Sequence, residues 1–330
     1  MMSFIFEYLI FLAKLFSFVL AILITTAGIF SIARKAKEQN KDKLCIQKLN
    51  KKFQEFSETL NAEILTKKAF RKYTKEQKMK RKKNANQLKK KVFVLNFQGD
   101  IKAHAVNNLR EEITALIQVA TPQDEVVLRL ESAGGMVAPY GLAASQLQRL
   151  KNKHIPLTIT IDKIAASGGY LMACVADKLL AAPFAIIGSI GVVAQLPNFH
   201  RFLKKRDIDF ELLTAGEYKR TLTLFGENTS KAREKTQADL EEIHHLFKSF
   251  IQSNRKKIDI HEVATGAHWL AKDALALHLV DALLTSDDYL NQLAEEDTAE
   301  IYECHYQTKK SVSEKLRGQL HAMLHKMNFI

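Results

Sequence analysis

The sequence predicts an α/β domain with a mostly parallel sheet, and two patterns carry this prediction. Short apolar, β-rich runs alternate with segments of helical periodicity between residues 92 and 213, as they do in strand–helix units. Pairs of glycines also end two successive predicted strands, at Gly134-Gly135 and at Gly168-Gly169. Binding sites of such sheets gather at the carboxyl ends of the strands, so we expect the two glycine turns to lie side by side.

The individual elements follow from local composition. The predicted strands are Val92–Phe97, Val126–Leu130, Leu157–Ile161, Leu179–Ala182 and Phe210–Leu213, with a glycine-containing extended stretch at Ile186–Val193. Helical spacing of apolar residues predicts helices over 107–119, 142–150 and 198–206. Residues 229–330 are predicted to be largely helical and to end in a basic amphipathic tail. The apolar stripe of that tail comprises Val312, Leu316, Leu320, Met323 and Met327.

Residues 1–33 are predicted to form a membrane anchor. Leu15–Ala33 is uncharged and long enough for a helix to cross about 30 Å of hydrocarbon. A cleaved signal peptide is the alternative, but its basic residues would precede the apolar segment, whereas Arg34 and Lys35 follow it. By the positive-inside rule, this basic flank faces the cytoplasm.

Residues 34–91 form a predicted basic linker, with 21 lysines and arginines against 6 acidic residues. The formal charge of +13 therefore comes from this segment and not from the α/β domain. An apolar stripe from Ile46 to Ile64 predicts a helix that packs on a partner helix or on a bilayer. Lys67–Lys91 is expected to be a solvated, partly disordered spacer attracted to anionic lipid. A nucleic-acid partner is not predicted, because interleaved aromatic residues and a recognisable binding module are missing.

The cysteines and histidines predict no metal site and no cofactor. Cys45, Cys174 and Cys304 are far apart in sequence and show neither a disulfide framework nor the spacing of a zinc site. His244 and His245 are adjacent on a predicted helix, where their side chains would diverge by about 100°. They are therefore a poor metal chelate.

Ser167 is the candidate nucleophile. It follows the strand Leu157–Ile161 and a tight turn, and it lies where the chain enters a predicted buried helix, beside free N–H groups and the positive end of the helix dipole. Attack by a serine creates an oxyanion, which such groups stabilise. The N–H groups of Gly135 and Gly168 are the candidate donors. The alternative is that Ser167 only caps the helix.

A serine nucleophile also needs a base. The nearest histidines in sequence, His154 and His200, are not obviously placed for this task, and no GxSxG motif is present. A lysine can serve if burial holds it neutral. Lys219, which follows the predicted strand Phe210–Leu213, fits best, although its neighbour Arg220 is an argument against it. The alternative is an ordinary surface lysine.

Several short motifs occur together in one order. They are ESAGGMV, AASGGY, GSIGVV, Pro197-Asn198-Phe199, AGEYK and ATGAHW, followed by Ala274-Leu275 and Leu279-Val280-Asp281. In this order and spacing, residues 92–290 resemble the signal peptide peptidase A family, and most of all its SohB-like branch. One departure is Ala133, which replaces the usual proline of the family's SPGG motif. The stretch VVAQLPNF after GSIG also departs from the wider family.

The resemblance implies a ClpP/crotonase-like fold, in which β-β-α units stack in a spiral, and a serine–lysine dyad. It places the nucleophile on Ser167, the general base on Lys219 and the oxyanion N–H groups on Gly135 and Gly168. It assigns to Ser189 the hydroxyl that helps to hold the lysine. It also implies a ring-shaped homo-oligomer, in which Lys219 can serve the Ser167 of a neighbouring subunit.

The chain is therefore predicted to be a membrane-anchored serine endopeptidase of extended apolar peptides, such as signal-peptide remnants or membrane-protein segments. The alternatives are a crotonase-like acyl-CoA hydratase or isomerase and a non-catalytic membrane-tethered scaffold. The predicted domains are an anchor (1–33), a linker (34–91), a protease domain (92–290) and a helical tail (291–330). The resemblance implies a periplasmic catalytic domain on the bacterial inner membrane, whereas the basic flank favours the cytoplasm.

Overall fold

The computed structural model describes residues 11–12, 14–26, 28, 42–84, 89–295 and 299–308. Residues 45–305 form one compact unit, and residues 1–44 and 306–330 belong to a second. In the second unit, residues 14–26 are helical and their large apolar side chains are exposed, as at Phe16 and Ile24. Among the described residues, no helix is both long enough and apolar enough to cross a membrane. Much of the predicted anchor, including residues 1–10 and 29–33, lies outside them, and the anchor stays a prediction.

The larger unit is built on one sheet, to which ten strands belong within the described part of the chain. The strands are β1 (Lys43–Lys48), β2 (Lys90–Gly99), β3 (Glu125–Ser132), β4 (Leu157–Ile161), β5 (Ile164–Ala166), β6 (Lys178–Ala181), β7 (Ile186–Gly188), β8 (His268–Leu270), β9 (Ala282–Leu283) and β10 (Ala299–Gln307). The helices are α1 (Leu49–Ile64), α2 (Lys67–Asn84), α3 (Val106–Ile117), α4 (Val137–Asn152), α5 (Gly168–Ala173), α6 (His200–Lys204), α7 (Ser230–Asn254), α8 (Ile260–Val263), α9 (Ala271–Ala276) and α10 (Ser286–Glu295).

The strand order is β1-β10-β2-β3-β4-β6-β9, and β5 leaves this path to pair with β3 and β7. The pairs β10–β2, β2–β3, β3–β4, β4–β6, β6–β9, β3–β5 and β5–β7 are parallel, whereas β7 and β8 are antiparallel. The α/β class and the mostly parallel pairing are therefore confirmed. The finer prediction of β-β-α units stacked in a spiral stays a prediction.

Both faces of the sheet are covered, which is why its central strands are almost continuously apolar. Alternate residues of β2 point to opposite faces. Leu95 and Phe97 pack into the larger core with α3, α4 and α5, and Val92 and Val94 pack into a smaller core with residues of α1 and α10. A sheet buried on both sides is a rigid platform for the turns at its edge.

The register of the sheet brings the ends of three strands together. Ser132 at the end of β3 pairs with Ala165 of β5, and Ala166 pairs with Gly188 at the end of β7. The turns that follow these strands therefore leave the same edge of the sheet, and they contain the glycine pair 134–135, Ser167 and Ser189.

Two strands fall where the sequence patterns predicted a linker or a helix. The strand β1 lies within the predicted linker, and Leu49 directly after it is buried. The strand β10 lies within the predicted helical tail, where Ala299 and Ile301 are buried in the smaller core. The alternation of these buried residues is the spacing of a strand rather than of a helix. The tail stripe at 312–327 lies outside the described residues, and the domain boundaries stay predictions.

The predicted strand Phe210–Leu213 is wrong. These residues are irregular and exposed, and Leu213 is 91% exposed. A β-rich run becomes a strand only where a neighbouring strand can take its backbone hydrogen bonds, and the described part of the sheet makes no pair here.

Candidate active site

Ser167 joins β5 to α5 in a strained backbone conformation. Its φ is 52° and its ψ is −120°, a backbone conformation that residues other than glycine rarely adopt. The backbone N–H of Ser167 donates to the carbonyl of Gly188 at 2.8 Å, which ties the strained turn to the end of β7. Its side chain makes no capping hydrogen bond to α5. The interpretation of Ser167 as a simple helix cap is therefore wrong, and its hydroxyl is left available for chemistry.

The two glycine turns touch each other. A Cβ atom on Gly134, whose φ is +89°, would lie 2.8 Å from both the carbonyl oxygen of Ala166 and the nitrogen of Gly168. A Cβ on Gly135 would collide with the carbonyl of Ile101, which accepts a hydrogen bond from the Met136 N–H at 2.8 Å. The expected side-by-side arrangement of the turns is thus present, and it allows backbone approach that any side chain would prevent.

The two candidate oxyanion donors, the N–H groups of Gly135 and Gly168, make no backbone hydrogen bond among the described residues. The Gly135 N–H has no backbone acceptor within the described residues. Gly168 is the first residue of α5, and the first N–H groups of a helix have no acceptor within the helix. Two N–H groups in adjacent turns next to a serine are an arrangement that can stabilise a developing negative charge.

Tyr140 of α4 contacts both turns and holds them in place. Sequence patterns did not predict this role. Its hydroxyl lies 2.6 Å from the Ser132 Oγ and donates to the carbonyl of Asp100 at 2.8 Å. The Ser132 Oγ in turn accepts from the Gly134 N–H at 3.1 Å. The Tyr140 ring is fully buried, and a Cβ on Gly168 would lie 2.5 Å from it. Burial raises the pKa of the Tyr140 phenol, so the hydroxyl stays a donor.

Ser167 lines two cavities that share Gly135, Ser167, Gly191, Val192 and Val193. The first has a volume of about 410 Å³ and a mainly apolar wall, to which Leu171 contributes. The second has a volume of about 790 Å³ and a more polar wall, to which Ser189 contributes. We call them the apolar cavity and the polar cavity.

The helix α7 contributes one stripe of side chains to each cavity. The stripe on the apolar cavity is Ile243, Leu246, Phe247 and Phe250. The stripe on the polar cavity is Gln237, Leu240, Glu241 and His244. Residues three and four apart share a helix face, so two neighbouring faces of α7 are directed to the two cavities.

Ser189 occupies a second strained position close to Ser167. Its φ is 52°, and its N–H donates to the carbonyl of Ala267 at 2.7 Å. The structure therefore brings together Ser167, Gly135, Gly168 and Ser189, four of the five predicted site residues.

Lys219 is the exception. It lies in an exposed loop and does not line either cavity. His154 and His200 do not line them either, and the histidine that does is His244 of α7. In the described part of the chain, no group of three or more histidine, cysteine, aspartate or glutamate side chains is arranged to hold a metal ion.

Comparison with known proteins shows the family to which the sequence belongs. A model described as "Peptidase family S49 N-terminal" matches residues 3–147, and one described as "Peptidase family S49" matches residues 149–300. The chain is 56% identical over 228 residues to a "Probable protease SohB" of Haemophilus influenzae, across 69% of this chain and 64% of that protein. It is 46% identical over 318 residues to a "Probable protease SohB" of Buchnera aphidicola subsp. Schizaphis graminum, across 94% of this chain and 92% of the relative.

Among solved structures, a ClpP1 mutant from Listeria monocytogenes shares 11% identity with a TM-score of 0.38, across 61% of this chain and 94% of that chain. This structural likeness is too weak to define the fold. The sequence matches are much stronger, since the two family models together extend over most of the chain and one relative aligns over almost its whole length. The predicted family and the predicted peptidase activity are confirmed: the chain is a peptidase and belongs to peptidase family S49, in its SohB-like branch.

Proposed function

We propose that this peptidase is a serine endopeptidase whose nucleophile is Ser167. The observation that supports it is the strained turn from β5 into α5, which holds an uncapped serine hydroxyl beside the glycine turn after β3. Strained strand-to-helix turns of this kind present nucleophilic serines in other hydrolases.

The reaction follows from this arrangement. The Ser167 Oγ attacks the carbonyl carbon of the scissile peptide bond, and a base takes its proton. Negative charge moves to the carbonyl oxygen, where the Gly135 and Gly168 N–H groups stabilise it. The carbon–nitrogen bond then breaks, the leaving amine takes the proton, and water releases the acyl group in a second round.

Lys219 is our candidate base, and a second copy of the chain is the partner that completes its surroundings. A lysine acts as a base only when its environment holds it neutral, which requires burial. Lys219 is exposed in the single chain, and so are Val193, Leu213 and other apolar side chains of the segment 193–225. Contact with a second copy would bury this segment, and Lys219 of one subunit would then serve Ser167 of its neighbour, with Ser189 holding the amine.

The substrates we propose are extended apolar peptides, such as signal-peptide remnants or membrane-protein segments. The apolar cavity beside Ser167 is walled by the aromatic and aliphatic stripe of α7. Its volume of about 410 Å³ accommodates a large apolar side chain next to the scissile bond.

The test of the nucleophile is Ser167→Ala. We expect loss of peptide hydrolysis and loss of labelling by a fluorophosphonate probe, measured with the purified full-length chain. Ser253→Ala, which removes an exposed hydroxyl of α7, is the control and is expected to keep both. Normal hydrolysis by the Ser167 variant would reject the assignment.

We also propose that residues 15–33 anchor the chain in the bacterial inner membrane, with the catalytic unit on the periplasmic side. Support comes from the exposed apolar side chains of the helical residues 14–26 and of α1, where Phe56 and Ile64 are exposed. The resemblance to the family favours the periplasmic side, whereas the basic flank favours the cytoplasmic side. Protease added to intact spheroplasts is expected to digest the catalytic unit, and protection of the unit would place it in the cytoplasm.

A further inference from the structure

The polar cavity contains a carboxylate that has no cationic partner in the described part of the chain. Glu241 is exposed on α7 and accepts a hydrogen bond from the Gln237 Nε2 at 2.9 Å. No ion pair of Glu241 occurs among the described residues, whereas Asp239 on the same helix is paired with Lys235. The described lining of the cavity contains neither lysine nor arginine. Its wall therefore carries an uncompensated negative charge.

A histidine on the same wall has a ring nitrogen without a hydrogen-bond partner among the described residues. His244 lies one helical turn after Glu241 and lines the same cavity. Its Nε2 is buried and has no hydrogen-bond partner in the described part of the chain. Buried polar atoms without partners are uncommon in proteins, so the wall formed by Glu241 and His244 is suited to a polar ligand group.

Both cavities open beside Ser167, since they share Gly135, Ser167 and Gly191. A peptide whose scissile carbonyl lies at Ser167 therefore passes both stripes of α7. One of its side chains can enter the apolar cavity while another contacts the acidic wall. The helix fixes the distance between the two, because both stripes belong to one rigid element.

We propose that Glu241 forms a cation-binding subsite, which selects a lysine or arginine of the substrate within a few residues of the apolar side chain at the scissile bond. The inference rests on the proposed function and extends it, because it names a second, charged determinant in an otherwise apolar substrate. A carboxylate on the wall of the cleft attracts a basic side chain of the substrate and repels an acidic one.

The experiment uses the full-length chain and a set of internally quenched peptides. Each peptide keeps one apolar residue at the cleavage site and carries lysine, norleucine or glutamate at each of the three positions on either side. At one position, we expect kcat/KM to follow the order lysine, norleucine, glutamate, with about a two- to fivefold step between lysine and norleucine. Raising the salt concentration is expected to reduce this step.

The isosteric variant Glu241→Gln is expected to remove the lysine preference, because kcat/KM falls more for the lysine peptide than for the norleucine peptide. Glu241→Lys is expected to reverse the preference toward glutamate. The matched control is Glu242→Gln, which removes the same charge from the next residue of α7, outside the lining of either cavity. It is expected to keep the lysine preference.

Three results would overturn the inference. The first is Ser167-dependent cleavage with no lysine preference at any position, which leaves the proposed function intact. The second is an equal loss on all peptides in Glu241→Gln, which would indicate a structural role. The third is the absence of any Ser167-dependent cleavage, which would reject the proposed function and the subsite together.

Discussion

At the scale of the residue, the positions of Ser167 and of the glycine turn beside it depend on a buried side chain, that of Tyr140. The fully buried Tyr140 contacts the serine turn through its ring and the glycine turn through its hydroxyl. One side chain therefore sets the separation between the candidate nucleophile and the candidate oxyanion donors. Such bracing by supporting hydrogen bonds is what a pre-organised site requires.

We predict that Tyr140→Phe lowers kcat about tenfold and leaves KM nearly unchanged. The variant keeps the ring against Gly168 but removes the hydroxyl that joins Ser132 to the Asp100 carbonyl. A missing hydrogen bond of this kind is worth about 1–2 kcal/mol, and a looser glycine turn weakens transition-state stabilisation rather than binding. Steady-state kinetics with an apolar peptide measure the split between kcat and KM.

Tyr289→Phe is the control for this prediction. It removes a buried hydroxyl that donates to Glu125 in the smaller core, away from the site. It is expected to lower stability without lowering kcat. Equal losses of kcat in the two variants would contradict a positioning role for Tyr140.

The glycine turns and the serine are visible in the sequence because the turn chemistry of glycine is local. The role of Tyr140 was not predicted, because its hydroxyl reaches the carbonyl of Asp100 across 40 positions of the chain. The strained φ of Ser167 is likewise imposed by its neighbours, through the hydrogen bond to Gly188 and the pairing of β5 with β3 and β7.

At the scale of the element, α7 lines both cavities and is joined to the sheet just beyond its C-terminal end. Arg255, directly after α7, forms two hydrogen bonds to Asp281 at 2.8 and 2.7 Å and one to the carbonyl of His278 at 3.1 Å. Asp281 also accepts from the Leu179 N–H of β6 at 2.7 Å. This pair therefore fastens the helix that lines both cavities to the sheet.

We predict that Asp281→Asn lowers the free energy of unfolding by about 1 kcal/mol at pH 7, since solvent screens the partly exposed carboxylate, and that the difference shrinks below about pH 4. Burial acts to raise the pKa of Asp281, but the hydrogen bonds from Arg255 and Leu179 outweigh it and lower the pKa. A carboxyl whose folded-state pKa is lowered stabilises the fold above its unfolded-state pKa. It loses this contribution as the pH falls through the folded-state pKa.

Urea denaturation of both proteins at pH 7, 4 and 2.5 measures this effect. Asp287→Asn is the control, because Asp287 is exposed where it pairs with Arg129 and such pairs contribute little. A difference between Asp281→Asn and the parent that stays constant down to pH 2.5 would contradict the assignment of the pH dependence to this carboxyl.

At the scale of the whole molecule, the candidate site contains four of its five predicted residues within one chain. Ser167, Gly135, Gly168 and Ser189 meet at the edge of the sheet, whereas Lys219 lies in an exposed loop. A proposed ring of copies resolves this separation, because a cyclic assembly presents the same loop of each subunit to the next.

We predict that a mixture of Ser167→Ala and Lys219→Ala subunits regains activity that neither variant has alone. If each site takes its serine from one subunit and its lysine from the next, random mixing in equal amounts restores about a quarter of the sites. The measurement is peptide hydrolysis after the two variants are dissociated together and reassembled. The control replaces the Lys219 variant by the double variant, and no regain in the test mixture would contradict a shared site.

The sequence by itself determined the α/β class, the two glycine turns, the position of Ser167 and the membership of peptidase family S49. These features depend on local periodicity, on turn chemistry and on ordered motifs, all of which are visible along a single chain. Only the tertiary structure decided that Tyr140 braces the turns, that α7 divides its side chains between two cavities, and that Lys219 stays apart from them. Contacts of this kind join segments that are distant in sequence, so they depend on how the elements pack and not on the pattern within any one element.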